Sequence, residues 1–466
     1  KGVMVMQGKL NFYALSELSD SFRSGKLVPS EIVDYYLGNI ERFDSKIGAF
    51  QSVYSESARS AAKACDLTIA SGNHIGPFQG IPFVLKDICE VKGLITTGGS
   101  AIYIKRKSKE TAVVASRLLA AGGILLGKTK TVEFAFGGWG TNQRLGTPLN
   151  PWDTKNDRIC GGSSAGSAAA VASDMAVSAV GTDTGGSVRI PAAFCGLTGL
   201  KVTKNLLPTD GILPLSHTLD TPGPMARSLI DLIIMFEVLR GTEGWKVHRD
   251  LSKNEGLFKN LTKGVSGIRL GILNDADREM CTPTVLSNYD KIILNLENRG
   301  AIIKRYNPPM AYSDISERMS KIISAEAYAY YGHLYEDIEN LMDDDVRFRV
   351  LGARDFGSSA YIKLLDERKQ AEKIFSDSIK NYDALVTPTT CDEAPPISEV
   401  DQAISPGYFT RPFNYAGMCA LSLPMGLSEN GLPLGVQVAA GPYEEEMTLQ
   451  VGATVEHEVL SIFEAS

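Results

Sequence analysis

The stretch GGSSAGSAAAVASDMAVSAVGTDTGGSVRIPA, residues 161–192, decides how the rest of the chain is read. Gly/Ser-rich text on its own marks a flexible linker about as often as anything else. Linkers, however, continue polar, and here Ala168–Ala172 and Ala176–Val180 are small and apolar. Two Gly/Ser turns flanked by such segments are expected in a packed interior, where glycines let backbone N–H groups converge on a point of negative charge. The amides of Thr184, Gly185, Gly186 and Ser187 are therefore a candidate oxyanion hole, with Ser187 its last member and a candidate nucleophile. Arg189 lies in apolar surroundings and needs a partner. Asp183 is the obvious one, and a structural ion pair bracing the turn is the expectation for the two.

A serine nucleophile requires a base. The chain has five histidines, His74, His217, His248, His333 and His457, and none stands beside a motif. The alternative is a buried lysine, neutralised because burial penalises its charge. Lys86, near the end of GIPFVLKD, fits, since Ile81–Leu85 reads as a buried strand delivering one amine to the interior. A strand-end lysine reaching solvent is the commoner arrangement.

Working outward, short apolar segments alternate with helical patterns at 81–85, 124–126, 176–180, 268–273, 301–304, 384–388 and 435–438. Such interleaving predicts an α/β sheet with helices on its faces. Apolar spacing over residues 11–45 predicts two N-terminal helices, the second starting at Pro29 and Ser30, within an N-terminal helical part covering 1–75. Residues 240–380 are richer in charge and tyrosine. Ser316–Met342 and Ser358–Lys380 there read as long amphipathic helices, a helical elaboration beside the sheet. No low-complexity linker divides the 466 residues, so one domain over 1–466 is expected.

Composition narrows the function classes. Residues are 44% hydrophobic and 22% charged, with a net charge of −7 and no long like-charge block. That excludes a basic footprint for nucleic acid or anionic lipid and favours a small-molecule substrate. Seven widely spaced cysteines without a C-x-x-C pair argue against a disulfide framework or a zinc site, so no metal is expected. No apolar run is long enough to span a bilayer, and Lys1–Leu10 lacks a signal-peptide core, which makes the cytoplasm the default compartment.

Two motifs point elsewhere. GGILLGKT, Gly122–Thr129, satisfies the phosphate-loop pattern, yet its middle residues are the apolar strand itself, so the turn would come too late for a nucleotide. GSSAG, Gly162–Gly166, matches the nucleophile-elbow pattern with Ser164 at its centre and Asp383 and His457 downstream. An elbow follows a strand directly, whereas Asn156–Cys160 is polar.

The segments GIPFVLKD, GKTKTVEFAFGG from Gly127, GGSSAGSAAAVA, GTDTGGSVRIPAAFCGLTGLKVT, PGPMARS at Pro222–Ser228 and ALSLPMG at Ala420–Gly426 together resemble the amidase signature family over most of the chain. The resemblance implies a single large mixed, largely parallel sheet flanked by helices, with no metal or organic cofactor. It implies a triad of Lys86, Ser163 and Ser187, with Ser163 in a cis peptide relaying a proton between amine and nucleophile. Ser164 would fix its turn. It implies an acyl-enzyme on Ser187 and a substrate pocket at 134–141, which brings in Phe134, Phe136, Gly137, Gly138 and Trp139. Tyr328, Tyr330, Tyr331, Tyr335, Arg347 and Arg349 are candidates to cap that pocket, a plain helix face being the preferred reading. Members act on aliphatic, aryl, peptide and fatty acid amides, ureas and carbamates. A small aryl or aliphatic amide is the expected substrate here, with esters or carbamates beside it, and a homodimer is common in the family. The amidase subunit that releases ammonia for tRNA-dependent transamidation shares the core, although Ile190 stands where those subunits typically carry Gln.

Overall fold

The segment around Lys86 forms a strand, Pro82–Lys86 (β2), in which every residue is buried. The computed structural model describes residues 13–153, 155–241 and 260–465. In chain order the other strands are β1 Phe50–Val53, β3 Ile124–Thr129, β4 Ser178–Asp183, β5 Thr198–Lys201, β6 Thr221–Ala226, β7 Arg269–Ile272, β8 Ile302–Arg305, β9 Ala384–Pro388, β10 Cys419–Leu427 and β11 Pro433–Ala440. All eleven join one sheet in the order β1-β3-β2-β4-β6-β5-β10-β11-β9-β7-β8. Helices lie against it, so the α/β architecture is as expected.

The expectation of a largely parallel sheet needs correction. Only β2 with β3 and β4, and β7 with β8 and β9, pair in parallel. The six remaining pairings are antiparallel. A short connection dictates one of them: β10 and β11 are separated by a turn at Ser428–Leu432, and two strands so joined can only form a hairpin.

Strand β6 is a central strand carrying Pro222 and Pro224, which cannot donate to a ladder. Pro222 faces Thr182 of β4, whose N–H and carbonyl both bond Ser164 Oγ at 3.3 Å, so this pair requires no donor from the proline. On its other side β6 meets β5 only at Met225 and Ala226, so the prolines owe that strand nothing.

The helix Ala165–Ala172 is buried at every residue and packs on β2, β3 and β4. Alanine favours the helix, and the lack of any polar face suits full burial. Helices Leu15–Arg23 and Pro29–Ile47 occupy the expected N-terminal positions, followed by β1 and a helix at Ser55–Ala70. In the 240–380 region, helices Tyr312–Glu336 and Ser358–Ser378 follow β7 and β8 in the chain. The first ends before Met342, because Arg347 donates to the carbonyls of Tyr335, Asp337 and Asn340 and holds that segment as a loop. No described helix is long and apolar enough to cross a membrane.

Candidate active site

Lys86 closes β2 with its side chain fully buried. Its Nζ lies 2.7 Å from Ser163 Oγ and 2.8 Å from Thr182 Oγ1. Both partners are hydroxyls, which accept from an ammonium and can equally donate to a neutral amine. Burial lowers the Lys86 pKa to about 7, against the opposing pull of Cys89, Asp220 and Asp183. The amine is thus available to take a proton near neutral pH.

Ser163 sits on a turn with little freedom. The Gly162–Ser163 peptide bond is cis. The Ser163 carbonyl accepts from Thr131 Oγ1 at 3.0 Å, and the Gly162 amide donates to the Gly138 carbonyl at 2.7 Å. A Cβ at Gly162 would meet the Gly140 backbone at 2.6 Å, so no other residue fits there. Ser164 is also buried; its hydroxyl bridges both the N–H and the carbonyl of Thr182 at 3.3 Å, and its amide donates to the Ser187 carbonyl. The two Gly/Ser turns are pinned to one another.

The second turn follows β4. Asp183 Oδ1 accepts from the Gly186 amide at 2.8 Å, from Arg189 Nη2 at 2.9 Å and from Asn414 Nδ2 at 2.8 Å. Its Oδ2 accepts from Arg189 Nε at 3.0 Å and from the Val188 amide at 3.2 Å. Burial alone would raise this carboxyl, but the Arg189 charge and these donors hold it well below the ordinary range. The remaining Arg189 donors go to the Thr410 carbonyl, Gln437 and Asn414, so the guanidinium is satisfied and braces the turn.

That network removes Gly186 from the four-amide set, because its N–H is committed to Asp183. The amides of Thr184, Gly185 and Ser187 hold no hydrogen bond among the described residues. Sequence reasoning missed Asp220, whose carboxylate accepts from Thr184 Oγ1 at 2.5 Å and from the amides of Leu215 and Ser216. No local signature marks it, since it is brought in by the segment leading into β6.

Ser187 opens onto a cleft of about 590 Å3, together with Thr184, Gly185 and Ile190. Phe136, Gly137, Gly138 and Trp139 line it. Phe134 does not: its ring stacks on Tyr331 at 3.9 Å and meets Tyr335 edge-on, inside the core. Of the proposed capping residues, Tyr331 donates to the Pro214 carbonyl, Tyr335 to Glu133 and Tyr328 to Glu336, all structural roles. Tyr330 borders a smaller adjoining cavity with His217 and Asp220. Arg347 holds its loop, whereas Arg349 does reach the cleft. Arg411, which no sequence motif marks, lines it as well.

No histidine lines this cleft among the described residues, and His248 lies outside them. The phosphate-loop match is a strand: Lys128 is buried in β3, with its Nζ on Thr96 and the Ile95 carbonyl, so it cannot cradle a phosphate. The elbow match fails because Ser164 is buried against β4 and leads from a turn, not a strand.

A family model described as Amidase matches residues 31–449. The chain is 31% identical over 486 residues to a glutamyl-tRNA(Gln) amidotransferase subunit from Alkaliphilus metalliredigens (strain QYMF), covering 98% of each. It is 31% identical over 456 residues to a 2-amino-5-chloromuconic acid deaminase of Comamonas testosteroni, covering 95% of each. A solved amidase superposes with a TM-score of 0.86 at 27% identity, over 96% of this chain and 100% of that one. With the family match spanning nearly the whole length and the same fold recurring in a solved member, the chain belongs to the Amidase family, hydrolases of carbon–nitrogen bonds in amides.

Proposed function

We propose that this chain hydrolyses a small carboxamide through an acyl-enzyme on Ser187, using Ser163 as proton relay and Lys86 as base. The observation that carries the reading is the buried Lys86 amine, 2.7 Å from Ser163 Oγ, behind a serine that faces the cleft. Neutral Lys86 draws a proton through Ser163 as Ser187 Oγ attacks the carbonyl carbon. The amides of Thr184, Gly185 and Ser187 receive the developing oxyanion. The proton returns to the departing amine, and water then releases the acid through the same relay. Asp183 and Arg189 position the turn without touching substrate, and Ser164 anchors the relay turn. No metal or organic cofactor has a step in this mechanism.

The cleft wall of Phe136, Trp139, Ile190, Ile323 and Phe348 supports a small aryl or aliphatic acyl group, with carbamates and esters as further substrates. Rates on primary amides, p-nitroanilides, carbamates and esters, compared between wild type and Ser187→Ala, test this. The expected loss in the variant is at least ~10⁴-fold with an unchanged circular dichroism spectrum. Retained turnover would remove Ser187 as nucleophile.

A second reading, the amidase component of a tRNA-dependent amidotransferase, is favoured by the identity to such proteins over almost all of both chains. Ile190 in the cleft weighs against it. Amide hydrolysis by the isolated chain, with no companion protein recovered on purification, would exclude that role. Glutamine hydrolysis that appears only with a companion protein would establish it.

A further inference from the structure

Arg411 begins the short helix Arg411–Tyr415 and stands over the Ser187 turn. The Cβ that Gly185 lacks would lie 3.4 Å from Arg411 Cγ and 3.7 Å from its Nε. Its Nη1 donates to the Ser316 carbonyl at 3.2 Å and to the hydroxyls of Ser316 and Ser320 at 2.8 Å each. These acceptors are neutral. Nε and Nη2 hold no partner among the described residues, and no carboxylate pairs with the guanidinium. Nε and Nη2 form the edge that grips a carboxylate side-on, and Arg189 uses that same edge on Asp183.

Arg349 shares the cleft and is likewise held by neutral groups, the Phe136 carbonyl at 2.6 Å and Gln402 Oε1 at 2.5 Å. The one carboxylate among the residues lining the cleft, Glu317, is engaged by Lys321 at 2.7 Å. Burial and the Arg349 charge lower Arg411 to a pKa of about 10, so it remains a cation at neutral pH. Arg349 has the charges of Asp345 and Asp343 near it, whereas Arg411 has only neutral acceptors, so the charge left to be matched by whatever enters is that of Arg411.

We propose that the preferred substrates are short amides whose acyl part ends in a carboxylate, received by the free edge of Arg411 with Arg349 beside it. The inference rests on the reading of Ser187 as the nucleophile, and narrows the substrate class of that site. A small dicarboxylic acid monoamide meets both demands: its amide carbon reaches Ser187 while its acid end meets the guanidinium. A planar, bidentate partner explains arginine here, which lysine would not replace in full.

The test compares matched pairs on the purified chain: succinamate against butyramide, glutaramate against valeramide, and succinamate against its methyl ester. Charge-assisted pairing is expected to favour each acid by about 10- to 100-fold in kcat/KM. Arg411→Met should bring the ratio close to one, with Arg411→Lys in between. A wild-type ratio at or below one overturns the proposal, as does a ratio that survives both Arg411→Met and Arg349→Met. Should Arg411→Met fail to fold, calorimetric binding to Ser187→Ala decides: succinamate must bind at least ~10-fold more tightly than butyramide. Equal binding, or no binding of the acid, overturns it. If Ser187→Ala keeps turning over with the acid preference intact, the nucleophile assignment fails and the carboxylate site stands.

Discussion

Burial of one amine sets the chemistry at the residue scale. Lys86 has no anion within hydrogen-bond reach, and its two partners are hydroxyls, so nothing in its first contacts compensates a full positive charge. Burial therefore brings its pKa to about 7, with Asp220 among the charges that oppose the drop. In the proposed mechanism Lys86 works only when neutral, so kcat/KM should climb with pH through about 7 and level off above it. Asp220→Asn removes a charge that favours the ammonium, so the midpoint of the climb should move to lower pH. Ser163→Ala should cut the rate by at least ~10²-fold, because the amine then has no hydroxyl through which to draw the proton. A pH–rate profile with its midpoint at the ordinary lysine value, or one unmoved by Asp220→Asn, would remove Lys86 from the role of base.

The helix Ala165–Ala172 shows how closely these groups are held at the scale of elements. Gly166 is its second residue, and by helix propensity alone Gly166→Ala should stabilise by about 1 kcal/mol. A Cβ there, however, would sit 2.3 Å from the Ala49 carbonyl oxygen and 2.6 Å from the Lys130 amide nitrogen. Backbone cannot turn aside as a side chain does, so overpacking wins and Gly166→Ala should destabilise by about 1–3 kcal/mol. Urea denaturation checks the sign, and a more stable variant would mean that the helix can shift away from β1 and β3. The same closeness explains which elements the sequence disclosed. Strands β2, β3, β4, β7, β8, β9 and β11 announce themselves as short apolar runs, and all but the edge strand β8 stand inside the sheet. Strand β6 does not, because Pro222 and Pro224 read as breakers until Ser164 is seen to bond both backbone groups of Thr182 opposite Pro222. The helix expected to reach Met342 overran for a similar reason: its periodicity continues, but Arg347, distant by 11 residues from Glu336, claims the carbonyls after it.

At the scale of the whole molecule, the site is assembled from distant segments, and that limits what local text can disclose. Ser163, Ser187 and Lys86 lie in motifs, whereas Asp220 and Arg411 reach the site through tertiary contacts alone, with neutral or ordinary neighbours in sequence. The folded chain also buries several lysines in its interior. Burial lowers Lys86 to about 7 and Lys201 to about 8, and brings Lys128 down as well. In the unfolded chain each titrates near the ordinary ~10.4. Between the two values the unfolded chain holds a proton that the folded chain has released, so raising the pH across that window favours folding. Below the folded value both states are protonated, and the contribution no longer changes with pH. Lys86→Met deletes one such group while keeping its volume. Its urea midpoint should therefore rise less between about pH 7 and about pH 9.5 than that of the wild type, the difference reaching at most about 1.4 kcal/mol per pH unit. The slope is read rather than the absolute stability, so the loss of the bonds to Ser163 and Thr182 does not confound the comparison. An equal rise in both proteins would mean that Lys86 carries its proton in the folded state across the whole window, and the amine could not then serve as the base in the proposed mechanism.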